Sequence, residues 1–355
     1  MKNFTRLSLH LILFLFSAYS FGQVVTKTVD DGTPGTLRVE IANAGANGTV
    51  TFDSSIQGQP INITNGDIDI NTFIGLTIDG NNGGVSTTLV GTSTNRIFDI
   101  STIIAGSISI NNIEFTNATS ISGGAVLVSD ATTIVNFTDC VFTANTATGD
   151  AATEGGGAIY NDGATINFSG ASTSFTTNTA SGISGSGGAI FNSNSGTVTI
   201  NSAIFNGNSA SRAGGAIEDN SGVLGGLNIN NSQFTLNSTG SNPGNGGAIH
   251  LTGAGNSVID SSSFSNNTAS NEGGALWNGS GLMTITDTTI DMNTASGSDA
   301  MTAGAAGGGG IYNEGGTVTT DATTIITNNV ADGAQGTGGG VLNANGTFTA
   351  TGSTI

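Results

Sequence analysis

The feature that most constrains this chain is a recurring glycine pair. A Gly-Gly dipeptide followed by a small residue and then an aliphatic one begins at Gly123, Gly156, Gly187, Gly214, Gly246, Gly273, Gly308 and Gly338. Successive starts are 33, 31, 27, 32, 27, 35 and 30 residues apart. A second motif runs between them, an aromatic residue with Asn three positions on: Phe142/Asn145, Phe175/Asn178, Phe205/Asn208, Phe234/Asn237 and Phe264/Asn267. Ile290/Asn293 and Ile326/Asn329 take the same slot later. A period near 30 with uneven spacing predicts a solenoid with loops of variable length. A propeller blade wants about 40 residues, and a sandwich needs no strict repeat.

The unit reads as a β-coil. Short runs such as Thr197-Val198-Thr199-Ile200 and Met283-Thr284-Ile285-Thr286 alternate, which puts the aliphatic residues on one face and the threonines on the other. Gly, Asn, Asp and Ser separate the runs and supply turns. Three short strands with tight corners fit the smallest period, 27 residues. Stacked coils then pair each strand with its equivalents ~4.8 Å above and below. The expected fold is all-β, a right-handed parallel β-helix. Phe142, Phe175, Phe205, Phe234 and Phe264 form one interior column, and the recurring Asn forms a corner ladder that satisfies backbone groups left unpaired by the bend.

GGAIYN (156–161), GGAIFN (187–192) and GGALWN (273–278), each paired with an FxxN, resemble the repeats of the chlamydial-type polymorphic outer membrane proteins. The segment VTKTVDDGTPGTLRVEIANA (25–44), continuing to Asp53, resembles the N-terminal cap of bacterial secreted β-helix surface proteins. The resemblance implies an exported, surface-displayed protein, often an adhesin.

Three segments are expected. Met1–Gly22 reads as a cleaved secretory signal: Lys2 and Arg6, then an apolar run from Leu9 to Phe16, then Ser20-Phe21-Gly22. Residues 23–48 cap the first coil, with a short helix at Leu37 to Ala44, because an uncovered edge invites association. Residues 49–355 form the β-helix, irregular to about 115 and regular after. The localisation expected is secreted, extracellular or at the outer cell surface.

Composition removes most chemistry. Without the signal the chain keeps 4 basic and 24 acidic residues, a field that repels nucleic acid and anionic membrane. No hydrophobic segment long enough to insert in a membrane follows the signal. One His, one Cys and one Lys leave no Cys-rich zinc site, H-E-x-x-H helix or Walker A loop. No catalytic, cofactor or metal site is assigned. Glycoside hydrolysis needs only two carboxylates, and Asp67/Asp69 and Asp30/Asp31 are the pairs in sequence, each also readable as solvated turn acids.

One slot stands out. The residue after the aliphatic position of each glycine motif is Tyr160, Phe191, Glu218, His250, Trp277, Tyr312 and Leu342. Alternation points it outward, and Glu218 in this slot suits a wet face, because an unpaired carboxylate is costly to bury. Either loops pack over the column, or Tyr160, Phe191, His250, Trp277 and Tyr312 form a flat ladder that stacks on sugar rings or on a partner's apolar patch. The expected function is adhesion or display, with a glycan or a host or neighbouring cell surface as partner. The alternatives are a polysaccharide-degrading β-helix enzyme and an inert spacer. The last motif, at Gly338, reaches Ile355 before any FxxN. This predicts further coils and an anchor beyond Ile355, or a second chain on the edge, with end-to-end self-association of this chain.

Overall fold

The computed structural model describes residues 22–355 apart from 72–74, 102–105, 223–225, 242, 298–305 and 335. Residues 1–21 of the expected signal lie outside the described residues. Among the described residues four long parallel sheets run along the molecule, and Ala306–Gly307 pairs with Gly336–Thr337 in a short fifth one. One coil shows the plan: Ile159–Asp162, then Thr165–Ser169, Ser174–Thr176 and Thr179–Ala180, each hydrogen-bonded to its counterparts in the coils on either side. The glycine-motif strands make a 10-stranded sheet, the long strands a 12-stranded sheet and the FxxN strands a 10-stranded sheet. The chain is a parallel β-helix.

The coil has one strand more than expected. The two residues after Ala118 and after each ladder Asn, from Thr119–Ser120 to Val330–Ala331, pair into an eight-stranded sheet. Two residues are too short for alternation to register, which is why this strand escapes a pattern search.

Register does the packing. Phe142 pairs with Phe175, Phe175 with Phe205, Phe205 with Phe234 and Phe234 with Phe264. Their rings stack at 4.7, 4.5, 4.5 and 4.6 Å. All five are fully buried. Phe137 and Phe168 form a second stack, 5.3 Å apart, that meets the first edge-on. The corner Asn residues form a ladder. Asn208 Nδ2 donates to Asn237 Oδ1 at 2.9 Å and to the Phe175 carbonyl at 2.9 Å, and its Oδ1 accepts from the Asn178 backbone and side chain. The same bonds repeat from Asn145 to Asn293 and end on Asn329.

The segment ahead of the repeats belongs to the same sheets. Gln23–Val25 pairs with Thr49–Phe52, which pairs with Thr77–Asp79 in the same row, and Ile61–Asn62 and Ile68–Ile70 begin two others. A helix at Leu37–Ala44 buries Leu37 and Ile41 in the common core. Arg38 fastens it, bonding Asp30 through both carboxylate oxygens and the carbonyls of Gly66 and Asp67 at 2.7 and 2.6 Å.

Candidate functional site

The slot after each glycine-motif aliphatic residue forms a continuous column on the outside of its sheet. Tyr160 pairs with Phe191, Phe191 with Glu218, Glu218 with His250, His250 with Trp277 and Trp277 with Tyr312. Of the two readings of the column, the observed burial favours the covered one: Phe191, Glu218, His250 and Tyr312 are all buried, and Tyr160, Trp277 and Leu342 are half-exposed. Two of the connections that precede the motifs bond to the column. Tyr160 donates its hydroxyl to the Thr153 carbonyl at 3.1 Å, and Trp277 Nε1 donates to Glu272 at 2.9 Å.

Ring orientation points the same way. Tyr160 and Phe191 stack at 5.1 Å, His250 and Trp277 at 4.1 Å, and Trp277 and Tyr312 at 6.1 Å. Trp277 therefore has a ring against each face and turns an edge outward. A sugar cannot stack flat on a ring whose two faces are already covered.

Glu218 is not the wet residue that alternation suggests. Its carboxylate accepts from Thr252 and meets His250 Nδ1 at 2.9 Å. Burial opposes its ionisation, but the His250 imidazole and the nearby Arg212 hold the carboxyl below its ordinary range. A buried acid is tolerated here because partners replace water. Farther along, the Tyr312 hydroxyl donates to Glu314 at 2.7 Å and also lies in hydrogen-bonding contact with Glu272. Burial and these two carboxylates push the phenol's pKa up. Trp277, Tyr312, Glu272 and Glu314 thus form one patch, with the Tyr312 hydroxyl between two acids and the indole bonded to one of them.

The Chlamydia polymorphic membrane protein repeat matches residues 139–162 and 261–279, each of which runs from an FxxN to a glycine motif. The chain is thus a β-helix repeat protein whose repeats are similar to those of the polymorphic membrane proteins. No curated protein and no solved structure matches it. The repeat is that of a surface or outer-membrane family.

The structure explains why the polymorphic-type glycine motif needs both glycines. The first, from Gly123 to Gly338, holds φ between +60° and +66°, where a side chain is strained. The second lies against the coil above: a Cβ on Gly188 would sit 2.0 Å from the Gly215 carbonyl oxygen. The residue that closes the motif makes a second ladder, which the sequence reading missed although the letter N recurs there. Asn161 Nδ2 donates to Asn192 Oδ1 at 2.8 Å, and Asn192 Nδ2 to Asp219 Oδ1 at 2.9 Å. Leu251 then interrupts it, and Asn278 resumes it with a 2.8 Å bond to Asn313.

Of the acid pairs read from sequence, Asp69 is exposed and the other three carboxylates are held by cations or a turn. Arg96 meets Asp67 at 3.4 Å and Asp99 at 2.9 Å. Asp30 is tied to Arg38, and Asp31 accepts from the Thr33 backbone at 3.0 Å. Cys140 is buried, and burial pushes its thiol up to about 12, so it stays an unreactive thiol. Among the described residues no group of three or more His, Cys, Asp or Glu could hold a metal ion.

Proposed function

We propose that this protein is exported and displayed at the cell surface, where it acts by adhesion, and that glycans are its ligands. The observation that carries the reading is the patch around Trp277. It is the one tryptophan of the chain, half-exposed, and fixed by its stacking partners and by Glu272. A rigid amphipathic ring loses little entropy on binding, which is why tryptophan recurs as an interface anchor. Glu272 and Glu314 beside it accept hydrogen bonds from sugar hydroxyls while the indole edge covers apolar C–H surface. The surface-protein repeat supports display, and the shortage of cations favours neutral over uronate sugars.

A glycan array probed with the mature chain, followed by Trp277 emission titrations, tests this. A bound neutral glycan should shift or quench the emission, and Trp277→Ala should weaken binding by roughly 1–3 kcal/mol. An array blank for neutral glycans, or binding indifferent to Trp277→Ala, contradicts the glycan reading. The proximity of Glu272 and Glu314 favours one second reading, hydrolysis of a neutral glycan. A reducing-end assay on the array hits, with Glu272→Gln and Glu314→Gln, separates it from adhesion.

A further inference from the structure

The second ladder contains one position where the chemistry does not match its neighbours. In the sister coils the amide Nδ2 makes two bonds, one up the ladder and one to a corner carbonyl. Asn161 donates to the Ala164 carbonyl at 2.9 Å, Asn192 to Gly196 at 2.9 Å, and Asn278 to Gly281 and Asn313 to Gly316 at 3.2 Å. Asp219 occupies this rung with a carboxyl group. Its Oδ1 accepts from Asn192 Nδ2 at 2.9 Å and from the Ser221 backbone at 3.2 Å. Its Oδ2 is buried without a hydrogen-bond partner. The rung above is Leu251, which offers nothing, and Asn278 Oδ1, on the far side of Leu251, is unpartnered as well.

An ionised carboxylate is an acceptor only, so its second oxygen cannot do what the amide nitrogen does. A protonated one is neutral and tolerates burial. We propose that Asp219 is a proton-operated joint in the β-helix: with a proton from solvent on Oδ2 it sits in the core as a neutral group beside the equally unpartnered Ser221 hydroxyl, and on losing that proton it leaves a buried charge that weakens the coil around Ile217–Asn220. Burial pushes its carboxyl up to about 6, despite the hydrogen bonds from Ser221 and Asn192.

The groups around it agree with this assignment. On its own strand the neighbouring Glu218 is the charge that acts on Asp219, and it opposes ionisation. On the strand above, His250 is directed at Glu218, and Arg212 acts on Glu218 too. On the strand below, the facing residue is the neutral Asn192. Glu218 has the opposite linkage. Its folded-state carboxyl is held low, so its contribution is present above the ordinary range near 4.5 and lost as pH falls. Asp219 is held high, so its contribution is full below the ordinary 3.8 and lost as pH rises through about 6. Between these limits the acid joint dominates.

Urea unfolding of the mature chain and of Asp219→Asn at pH 4.5 to 7.5 tests the joint. The folding equilibrium constant of the wild type should fall by more than tenfold between pH 4.5 and 7.5, whereas Asp219→Asn should lack that slope and be the more stable chain at pH 7.5. Infrared difference spectra give a second readout that does not depend on unfolding. A protonated-carboxyl C=O band present at pH 4.5 should vanish by pH 7.5 in the wild type and be missing from Asp219→Asn. A slope that survives in Asp219→Asn, or a wild type with neither slope nor band, overturns the proposal.

Discussion

The molecule carries two asparagine ladders, one at each end of its FxxN-to-glycine stretch, and they differ in completeness. The FxxN ladder runs unbroken from Asn145 to Asn329, each amide bonded to a carbonyl of the coil below and, up to Asn293, to the rung above. The glycine-motif ladder is interrupted at Asp219 and Leu251, leaving Asp219 Oδ2 and Asn278 Oδ1 unpartnered. Both sit at buried corners of the same coils, so the difference is in side chains and not in backbone. A complete ladder lets a sharp bend be buried, because every polar group it exposes finds a partner. An incomplete one concentrates weakness at the rungs where it fails.

Cutting the complete ladder should give the largest effect. Asn208→Leu removes four bonds and strands the Asn178 backbone N–H inside the coil, while Asn237 Oδ1 keeps the bond from the backbone N–H at position 208 and the Asn178 side chain keeps its bond to the Phe142 carbonyl. A loss of about 4 kcal/mol in urea unfolding at pH 7.5 is expected, with the stranded N–H costing ~1–3 kcal/mol before relaxation and the other lost bonds the rest. The same substitution beside the gap should cost less. Asn278→Leu loses donation to Gly281 and Asn313, but its Oδ1 already has no partner. About 2 kcal/mol is expected. Equal losses at the two sites would mean that ladder completeness carries no energy, and the comparison would fail.

Much of the fold was legible because a solenoid writes its geometry into the spacing. Each coil returns the chain to the same corner, so FxxN and the glycine motif recur together and parallel stacking follows from the period. The candidate site was less legible, for identifiable reasons. Alternation gives the outward sense of Tyr160, Phe191, His250, Trp277 and Tyr312, but nothing in the strand pattern tells whether a loop covers them. That depends on irregular connections, as where Thr153 and Glu272 reach back to Tyr160 and Trp277. Glu218 misled because its partners, His250 and Thr252, lie 32 and 34 residues away and meet it only through the register. The second ladder escaped because Asp219 and Leu251 break its repeat in the sequence just where they break it in space.

Native-state hydrogen exchange on the mature chain at pH 7.5 compares the two ladders in one experiment. Amides on the complete ladder, those of Asn145, Asn178, Asn208, Asn237 and Asn267, should exchange only near the limit set by global unfolding. Those of Ile217–Asn220 and Ile249–Leu251 should open at lower free energy, and Asp219→Asn should raise their protection toward that of the other coils. Equal protection at both corners of the wild type, or a weak segment unmoved by Asp219→Asn, would contradict the claim that ladder completeness sets local stability in this β-helix.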